Sequence, residues 1–228
     1  MQLIPVTHLL YMFIPLGIVG YFYYTWLDNG KEIFYATSRM IIQLVLIGYA
    51  LIYIFKNDSI LLGIAIILMM ITMSSFITLR NISNKSFSSF FIIFTSIAFG
   101  GSINLFLVLE FVLDLTPFYE PRYVIPIAGM IFANCMNAIS IAAERFEKEI
   151  KHSTYDEAKK VAFKSALIPN INAFLAVGLV SLPGMMTGQI LSGIDPLIAV
   201  RYQMVVMAMI LGSSGISIVT YLTLKKNR

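Results

Sequence analysis

The 228-residue chain is 58% hydrophobic and only 12% charged, with a formal net charge of +4. A soluble domain of this length carries about 25% charged residues, so the composition excludes an ordinary soluble protein and indicates a chain that mostly faces lipid. In lipid only helices or closed barrels satisfy their backbone groups, and a barrel shows alternating segments of about ten residues. The runs Ile60–Ile77 and Phe90–Leu109 are instead apolar on every face, which predicts an all-α integral membrane protein.

About seven segments of the chain are long enough to span a membrane, which takes roughly 20 apolar residues. We expect spans at Pro5–Leu27, Ser38–Phe55, Ser59–Leu79, Ser88–Leu109, Val124–Ala143, Ala166–Ile190 and Pro196–Leu224. The first segment has no basic residue before it and no small-residue cleavage site after it, so we interpret it as a retained span. Asp195 as N-cap and Pro196 at the first helical position start the last span. No linker divides the chain, which predicts a single transmembrane domain over residues 1–228.

The Lys and Arg residues predict the orientation, because cytoplasmic loops carry most of them. If Lys225, Lys226 and Arg228 are cytoplasmic, seven spans place the N-terminus outside and nearly all basic residues inside. The exceptions are Lys56, Arg122 and Arg201. The positive net charge therefore reflects membrane topology. We expect the protein to reside in the lipid bilayer and not to bind nucleic acid.

The charged stretch Glu144–Lys164 is the one sizeable connection between spans. Ser153 or Thr154 can cap a helix whose first turn holds Asp156 and Glu157, with lysines following, an order that suits the helix dipole. The pattern predicts a short amphipathic helix at or just beneath the cytoplasmic membrane surface. A solvated connector is the alternative.

Pro183-Gly184 interrupts the sixth predicted span. Proline removes one helix hydrogen bond and clashes with the preceding turn, so the sixth helix is predicted to break here. Gly184 and Gly188 form a G-x-x-x-G pair that permits close helix contact. Broken helices in membranes are tolerated where they are buried in protein or line a cavity. Leu182–Gln189 is therefore the leading candidate for a translocation path, with an ordinary proline kink as the alternative.

Amide and thioether side chains within the spans are the candidate lining of this path. Amides are costly in hydrocarbon and should face other helices, where packing is a more frequent role than ligand binding. Thioethers can bind a soft metal, although methionine more often fills gaps in packing. The amides are Gln43, Asn134, Asn137 and Gln189, and the methionines are Met130, Met136, Met185 and Met186.

Several motifs are absent from the sequence. It has no Gly-rich phosphate loop ending in Lys-Ser/Thr, so we expect no ATP or other cofactor on this chain. It has neither H-E-x-x-H nor G-x-S-x-G, so we do not expect an enzyme. The single Cys135 and the distant His8 and His152 lack metal-ligand spacing, which leaves metal ligands unknown.

Three stretches of the chain carry a longer and more specific pattern. They are RMIIQLVLIGY at Arg39–Tyr49, VIPIAGMI at Val124–Ile131 with Asn134 after it, and GLVSLPGMMTG at Gly178–Gly188, continuing to Gly193–Pro196 and Arg201–Gln203. Together they resemble the FetB-type ABC transporter permease family from about residue 30 to the C-terminus. The third stretch is the most specific.

The resemblance implies a multi-pass permease of the cytoplasmic (inner) membrane that works with a second copy of itself and a separate ATPase subunit carrying ATP-Mg. Bacterial members are linked to iron export and resistance to oxidative stress, and plant members to aluminium tolerance, with a nucleotide sugar proposed as cargo. The ATPase would dock near Thr154–Ala166, where Tyr155, Glu157 and Phe163 are the candidate contacts. An ATP-independent channel or carrier, an exporter of non-metal cargo and a non-transporting scaffold are the alternatives.

Overall fold

The structure is a computed structural model that describes residues 4–56, 59–117 and 119–226, without the side chains of Val6 and Lys226. Arg228 lies outside the described residues, so the cytoplasmic position of the basic C-terminus stays a prediction. Within these ranges the regular structure is helical, apart from one isolated β-bridge between Val177 and Ser181. The predicted all-α class is confirmed.

The α-helices follow one another with short connections. In chain order they are α1 (Val6–Leu9), α2 (Phe13–Leu27), α3 (Gly30–Ile54), α4 (Ile60–Leu79), α5 (Phe87–Leu107), α6 (Pro121–Glu149), α7 (Tyr155–Ala176), α8 (Gly184–Leu191) and α9 (Pro196–Lys226). A 3-10 turn, Leu10–Met12, joins α1 to α2, and a π-helical segment, Val108–Val112, extends α5.

In the part of the chain that the structure describes, six helices are long and apolar enough to cross a membrane. They are Thr7–Leu27, Gly30–Ile54, Ile60–Leu79, Phe87–Val112, Pro121–Glu149 and Pro196–Lys225. Each corresponds to one of the seven predicted spans. A seventh continuous span is not confirmed.

The predicted sixth span, Ala166–Ile190, is divided between two helices. The Pro-Gly pair predicted a break, but the break starts earlier, because α7 ends at Ala176 and α8 begins at Gly184. The short cytoplasmic helix predicted within Glu144–Lys164 is wrong as a separate element, since α7 runs without interruption from Tyr155 to Ala176. Pro169 lies inside α7, where it removes one hydrogen bond without ending the helix.

The chain forms two compact units, Met1–Asn57 and Asp58–Arg228. In the first, the Tyr23 hydroxyl of α2 donates to the Glu32 carboxylate of α3 at 2.8 Å. Most apolar side chains of α2 and α3 are exposed, as lipid-facing helices require. One functional domain over residues 1–228 stays a prediction.

The core of the second unit lies where α5, α6 and α9 meet, with α4 and α7 packed around them. The completely buried residues there include Ile93, Ile97, Ile131, Ile139 and Ile218. Small residues allow this packing: a Cβ added to Gly100 would lie 2.7 Å from the backbone nitrogen of Ser217, and closer still to its Oγ. The backbones of α5 and α9 therefore approach more closely than larger side chains permit.

Polar contacts join the helix ends at one end of this unit. The Glu147 carboxylate of α6 accepts hydrogen bonds from the Ser83 backbone N–H and hydroxyl at 3.0 and 2.8 Å. Its other oxygen lies 3.2 Å from Lys225 Nζ of α9. Close by, the Tyr155 hydroxyl at the start of α7 donates to the Leu222 carbonyl of α9. The segment from α7 to α8 therefore starts beside the end of α9 and returns to its beginning at Pro196.

We expect Gly100→Ala to destabilise the folded protein by about 1–3 kcal/mol, because the added methyl group forces α5 away from α9. Gly215→Ala on α9 is the matched control, since a Cβ there would meet nothing within 4 Å. Thermal unfolding of both variants in detergent micelles measures the difference. Equal unfolding temperatures would contradict the close approach of α5 and α9.

Candidate functional site

The break between α7 and α8 is the centre of the candidate site. Gly178 adopts φ +83°, a left-handed conformation that disfavours any residue with a Cβ. The Ala176 carbonyl accepts hydrogen bonds from the backbone N–H groups of Leu179, Val180 and Ser181 at 3.3, 2.8 and 3.2 Å. The break is therefore a turn that satisfies much of its own backbone, rather than a proline kink in a continuous helix.

Pro183 and Gly184 lie at the start of α8. Pro183 is the N-cap residue, and its carbonyl accepts a hydrogen bond from the Thr187 N–H at 2.9 Å. A Cβ added to Gly184 or Gly188 would meet nothing within 4 Å. Among the described residues no other helix approaches this glycine pair closely, and the close helix contact that the pair permits stays a prediction.

Asp195 and Pro196 fix the start of α9. The Asp195 carboxylate accepts a hydrogen bond from the Leu197 N–H at 2.8 Å, and Pro196 is the first residue of the helix. Proline costs no hydrogen bond at that position. The cap therefore sets the point where the chain turns from α8 into α9.

Three of the predicted path residues, Met130, Met185 and Gln189, line one cavity of about 390 Å³ between α6, α8 and α9, here called the Met130 cavity. Gln189 Oε1 is buried with no hydrogen-bond partner among the described residues. Arg122 and Pro126 of α6 line the same cavity. Because proline has no N–H, Pro126 leaves the Arg122 carbonyl without its usual helical donor. The cavity thus combines thioethers, an amide oxygen and a guanidinium group.

The other predicted path residues lie elsewhere. Met186 lines a second cavity, of about 400 Å³, with Gln203, because consecutive residues of a helix point about 100° apart. Asn134 lines a third cavity, of about 420 Å³, between α4, α6 and α7, here called the Asn134 cavity. Its amide donates to the Met130 carbonyl at 2.8 Å, so this cavity begins one helical turn from the Met130 cavity. Gln43 is an exposed residue of α3, in the first unit.

Sequence reasoning missed further polar residues of these cavities. Arg80 and Asn170 line the Asn134 cavity together with the predicted amide Asn137. In the sequence, Arg80 and Arg122 served only to predict topology. A signal was present in the spacing. Polar or small residues recur every three or four positions along α6 from Arg122 to Ser140, which is the period of one helix face.

Two of the predicted ATPase contacts are engaged within the chain. The Tyr155 hydroxyl is hydrogen-bonded to the Leu222 carbonyl, and its ring packs edge-on against Phe146. Phe163 is half-buried and packs against the core. These aromatic side chains anchor α7 to α6 and α9.

Glu157, the third predicted contact, completes a capping box at the start of α7. Its carboxylate accepts hydrogen bonds from the Thr154 backbone N–H and hydroxyl at 3.1 and 3.0 Å, and its own N–H donates to that hydroxyl at 3.4 Å. Because these bonds favour the charged form, they lower the pKa of Glu157. The carboxylate is therefore charged at neutral pH, and acid that protonates it weakens its two bonds to Thr154 but leaves the bond from the Glu157 N–H to the Thr154 hydroxyl.

The fold and cavities define a multi-pass α-helical membrane protein with a discontinuous helix pair beside cavities that a few polar side chains help to line. The profile of the uncharacterised protein family UPF0014 matches residues 6–157 and 151–228. The chain belongs to this family.

Its relatives include proteins of bacteria and plants. The chain is 34% identical to the probable iron export permease protein FetB of Escherichia coli, over 86% of this chain and 81% of that protein. It is 31% identical to the UPF0014 membrane protein slr1647 of Synechocystis, over 84% and 80%. It is 32% identical to the protein ALUMINUM SENSITIVE 3 of Arabidopsis thaliana, over 83% and 74%. The family predicted from the three sequence stretches is confirmed. No solved structure matches the chain.

We expect Gly178→Ala to destabilise the protein by about 1–2 kcal/mol, because alanine disfavours the left-handed conformation of the break. Gly188→Ala, in open space on α8, is the matched control and should stabilise its helix by about 0.5–1 kcal/mol. Unfolding of both variants in mixed micelles measures the difference. A Gly178→Ala variant as stable as the parent would contradict the turn geometry.

Proposed function

We propose that this chain is the membrane-spanning permease subunit of an ABC exporter, acting as two copies with two separate ATPase subunits. The observation that carries this proposal is the discontinuous pair α7–α8, in a chain related to a probable export permease. The turn between the two helices lines the cavity of Met186, and α8 lines the Met130 cavity as well. Discontinuous helices in transporters form substrate sites because the interrupted backbone lines a cavity. ATP-Mg binds the partner subunit, and this chain is not itself an enzyme.

The proposed topology has seven crossings in the cytoplasmic (inner) membrane, with the sixth made by α7 and α8 together. Two observations support it. The Tyr155–Leu222 hydrogen bond places the start of α7 beside the end of α9, and α8 leads into the opposite end of α9. The end that gathers Glu147 and Lys225 then faces the cytoplasm, and the N-terminus lies outside.

The proposed cargo is iron or another metal. The name of the Escherichia coli relative supports iron, and two thioethers with an amide oxygen offer a metal weak, mixed ligands in the Met130 cavity. Arg122 in the same cavity favours a second candidate, a non-metal cargo such as a nucleotide sugar, because its fixed positive charge repels a bare cation and attracts phosphate. An ATP-independent channel or carrier using the same cavity is the other alternative.

The proposed ATPase docking surface is the tip of the hairpin between α6 and α7. Its exposed side chains include Ile150, Lys151, His152 and Lys160, whereas Tyr155 and Phe163 are held by intrachain contacts. An exposed apolar residue among basic ones fits an acidic groove on a soluble partner. The proposed docking contacts are therefore the exposed residues at the tip of the hairpin, in place of Tyr155 and Phe163.

Lys151→Glu combined with Lys160→Glu should reduce ATPase co-purification by about tenfold or more, since reversed charges oppose an acidic partner surface. The unfolding temperature should not change, because both lysines are exposed. Lys85→Glu, an exposed lysine in the α4–α5 connection, is the control. Tyr155→Phe should instead lower stability and leave docking intact. Full co-purification by the double variant would rule out this surface.

Met185→Leu should reduce iron efflux from cells that express this chain together with the proposed ATPase subunit, because leucine lacks the thioether of a residue that lines the Met130 cavity. Met186→Leu is the matched control, since the neighbouring side chain lines the other cavity. Each exchange roughly conserves volume and should cost less than about 1.5 kcal/mol of stability. Cellular iron content and efflux provide the measurement. Unchanged iron efflux by Met185→Leu would assign this methionine to packing.

A further inference from the structure

The exposed face of α6 differs from that of its neighbour α4. The fully exposed residues of α4 are apolar: Ile60, Leu61, Ile64, Ala65, Leu68, Met69, Met73 and Phe76. The exposed or half-exposed stripe on α6 carries Arg122, Pro126, Gly129, Ala133, Asn137 and Ser140. These α6 residues, here called the α6 stripe, are spaced three or four apart, so they share one face of the helix. The α4 face suits hydrocarbon, whereas hydrocarbon leaves the amide and guanidinium groups of the α6 stripe unsatisfied.

The α6 stripe also lines two cavities in succession. Arg122 and Pro126 line the Met130 cavity, and Asn137 and Ser140 line the Asn134 cavity. The hydrogen bond from the Asn134 amide to the Met130 carbonyl lies where one cavity gives way to the other. At that depth the surface is open, because a Cβ added to Gly129 would meet nothing within 4 Å.

The facing walls are polar as well. Gln189 lines the Met130 cavity, and its Oε1 is buried without a partner in the described part of the chain. Pro169 and Asn170 of α7 line the Asn134 cavity, and Pro169 leaves the Ser165 carbonyl without its helical donor. Arg80, at the end of α4, lies at the cytoplasmic mouth of that cavity in the proposed topology. Polar groups thus recur from the Met130 cavity to the cytoplasmic end of the groove.

We propose that the α6 stripe is the wall of a water-filled groove, and that cargo reaches the Met130 cavity from the cytoplasm along it, past Asn137 and Asn134. This inference rests on the proposed function and extends it. It assigns the cytoplasmic half of the cargo path to α6, whereas the sequence analysis assigned the path to Leu182–Gln189. Water in the groove satisfies the amides that lipid cannot. The same amides then replace part of the hydration shell of a polar cargo.

Cysteine accessibility tests the groove without the ATPase. The natural Cys135 is completely buried, so the parent chain should not react with a charged, membrane-impermeant methanethiosulfonate in inverted vesicles. Ala133→Cys and Asn137→Cys should react within about tenfold of the rate of Lys85→Cys in a loop. Phe76→Cys on the apolar face of α4 is the matched control. It lies two residues before Thr78, whose hydroxyl contacts the Met136 carbonyl at 3.4 Å, so its depth matches that of the α6 stripe.

Phe76→Cys should react about 100-fold more slowly than Asn137→Cys, since a thiol in lipid has a raised pKa and little thiolate. Rates for Ala133→Cys and Asn137→Cys as slow as for Phe76→Cys would overturn the groove. Disulfide crosslinking of Ala133→Cys between two copies, with loss of reactivity, would also overturn it and identify a helix interface instead.

A transport experiment distinguishes failure of the groove proposal from failure of the proposed function. In vesicles that contain the ATPase, modification of Asn137→Cys should abolish efflux of the loaded metal, and modification of Lys85→Cys should not. Efflux that survives full modification of Asn137→Cys would remove the groove from the cargo path. Absence of metal efflux from the unmodified complex would instead overturn the proposed metal cargo, and with it the assignment of the groove to that cargo, while the accessibility rates still report whether the groove holds water.

Discussion

The interior of a bilayer offers no water to a peptide group, and this constraint explains both the regular and the irregular parts of the structure. It requires long helices such as α4 and α9, because only they satisfy every backbone group within one segment. It also explains why the break before α8 is compact. The Ala176 carbonyl accepts three N–H groups there, and Gly178 takes the left-handed conformation that makes this turn possible. In the proposed topology this break lies within the sixth crossing, where an interrupted helix has to satisfy its own backbone groups.

Close packing of small residues then decides which helices form the centre. The contact of Gly100 with Ser217 brings α5 against α9, and the completely buried isoleucines of α5, α6 and α9 pack around it. One face of α6 packs in this core, so its opposite face can make other contacts. The same helix therefore joins a dry interior on one side to the polar cavities on the other.

Contacts at the Lys225 end connect the proposed docking tip to the break. Glu147 joins α6 to α9 and to Ser83, and Tyr155 joins α7 to α9. A subunit that moves the tip of the α6–α7 hairpin therefore moves the start of α7 together with the end of α9. Since α7 continues to Ala176, the movement reaches the turn that lines the cavity of Met186 and leads into α8. The proposed coupling thus needs no separate cytoplasmic helix.

Composition and hydropathy by themselves determined the membrane class and six of the spanning helices, because span length is a local property of the sequence. The family followed from the resemblance of three specific stretches, above all Gly178–Gly188. Sequence also located the break near Pro183 and the cap at Asp195, since proline and N-cap residues act within one turn. Only the tertiary structure decided which side chains meet. In the structure, Met185 and Met186 line different cavities, and Tyr155 and Phe163 contact other residues of the same chain. No other helix packs against Gly184 and Gly188 among the described residues. The reason is that the cavity or helix that a side chain faces depends on how α6, α7 and α9 pack against one another, and no local sequence pattern determines that packing.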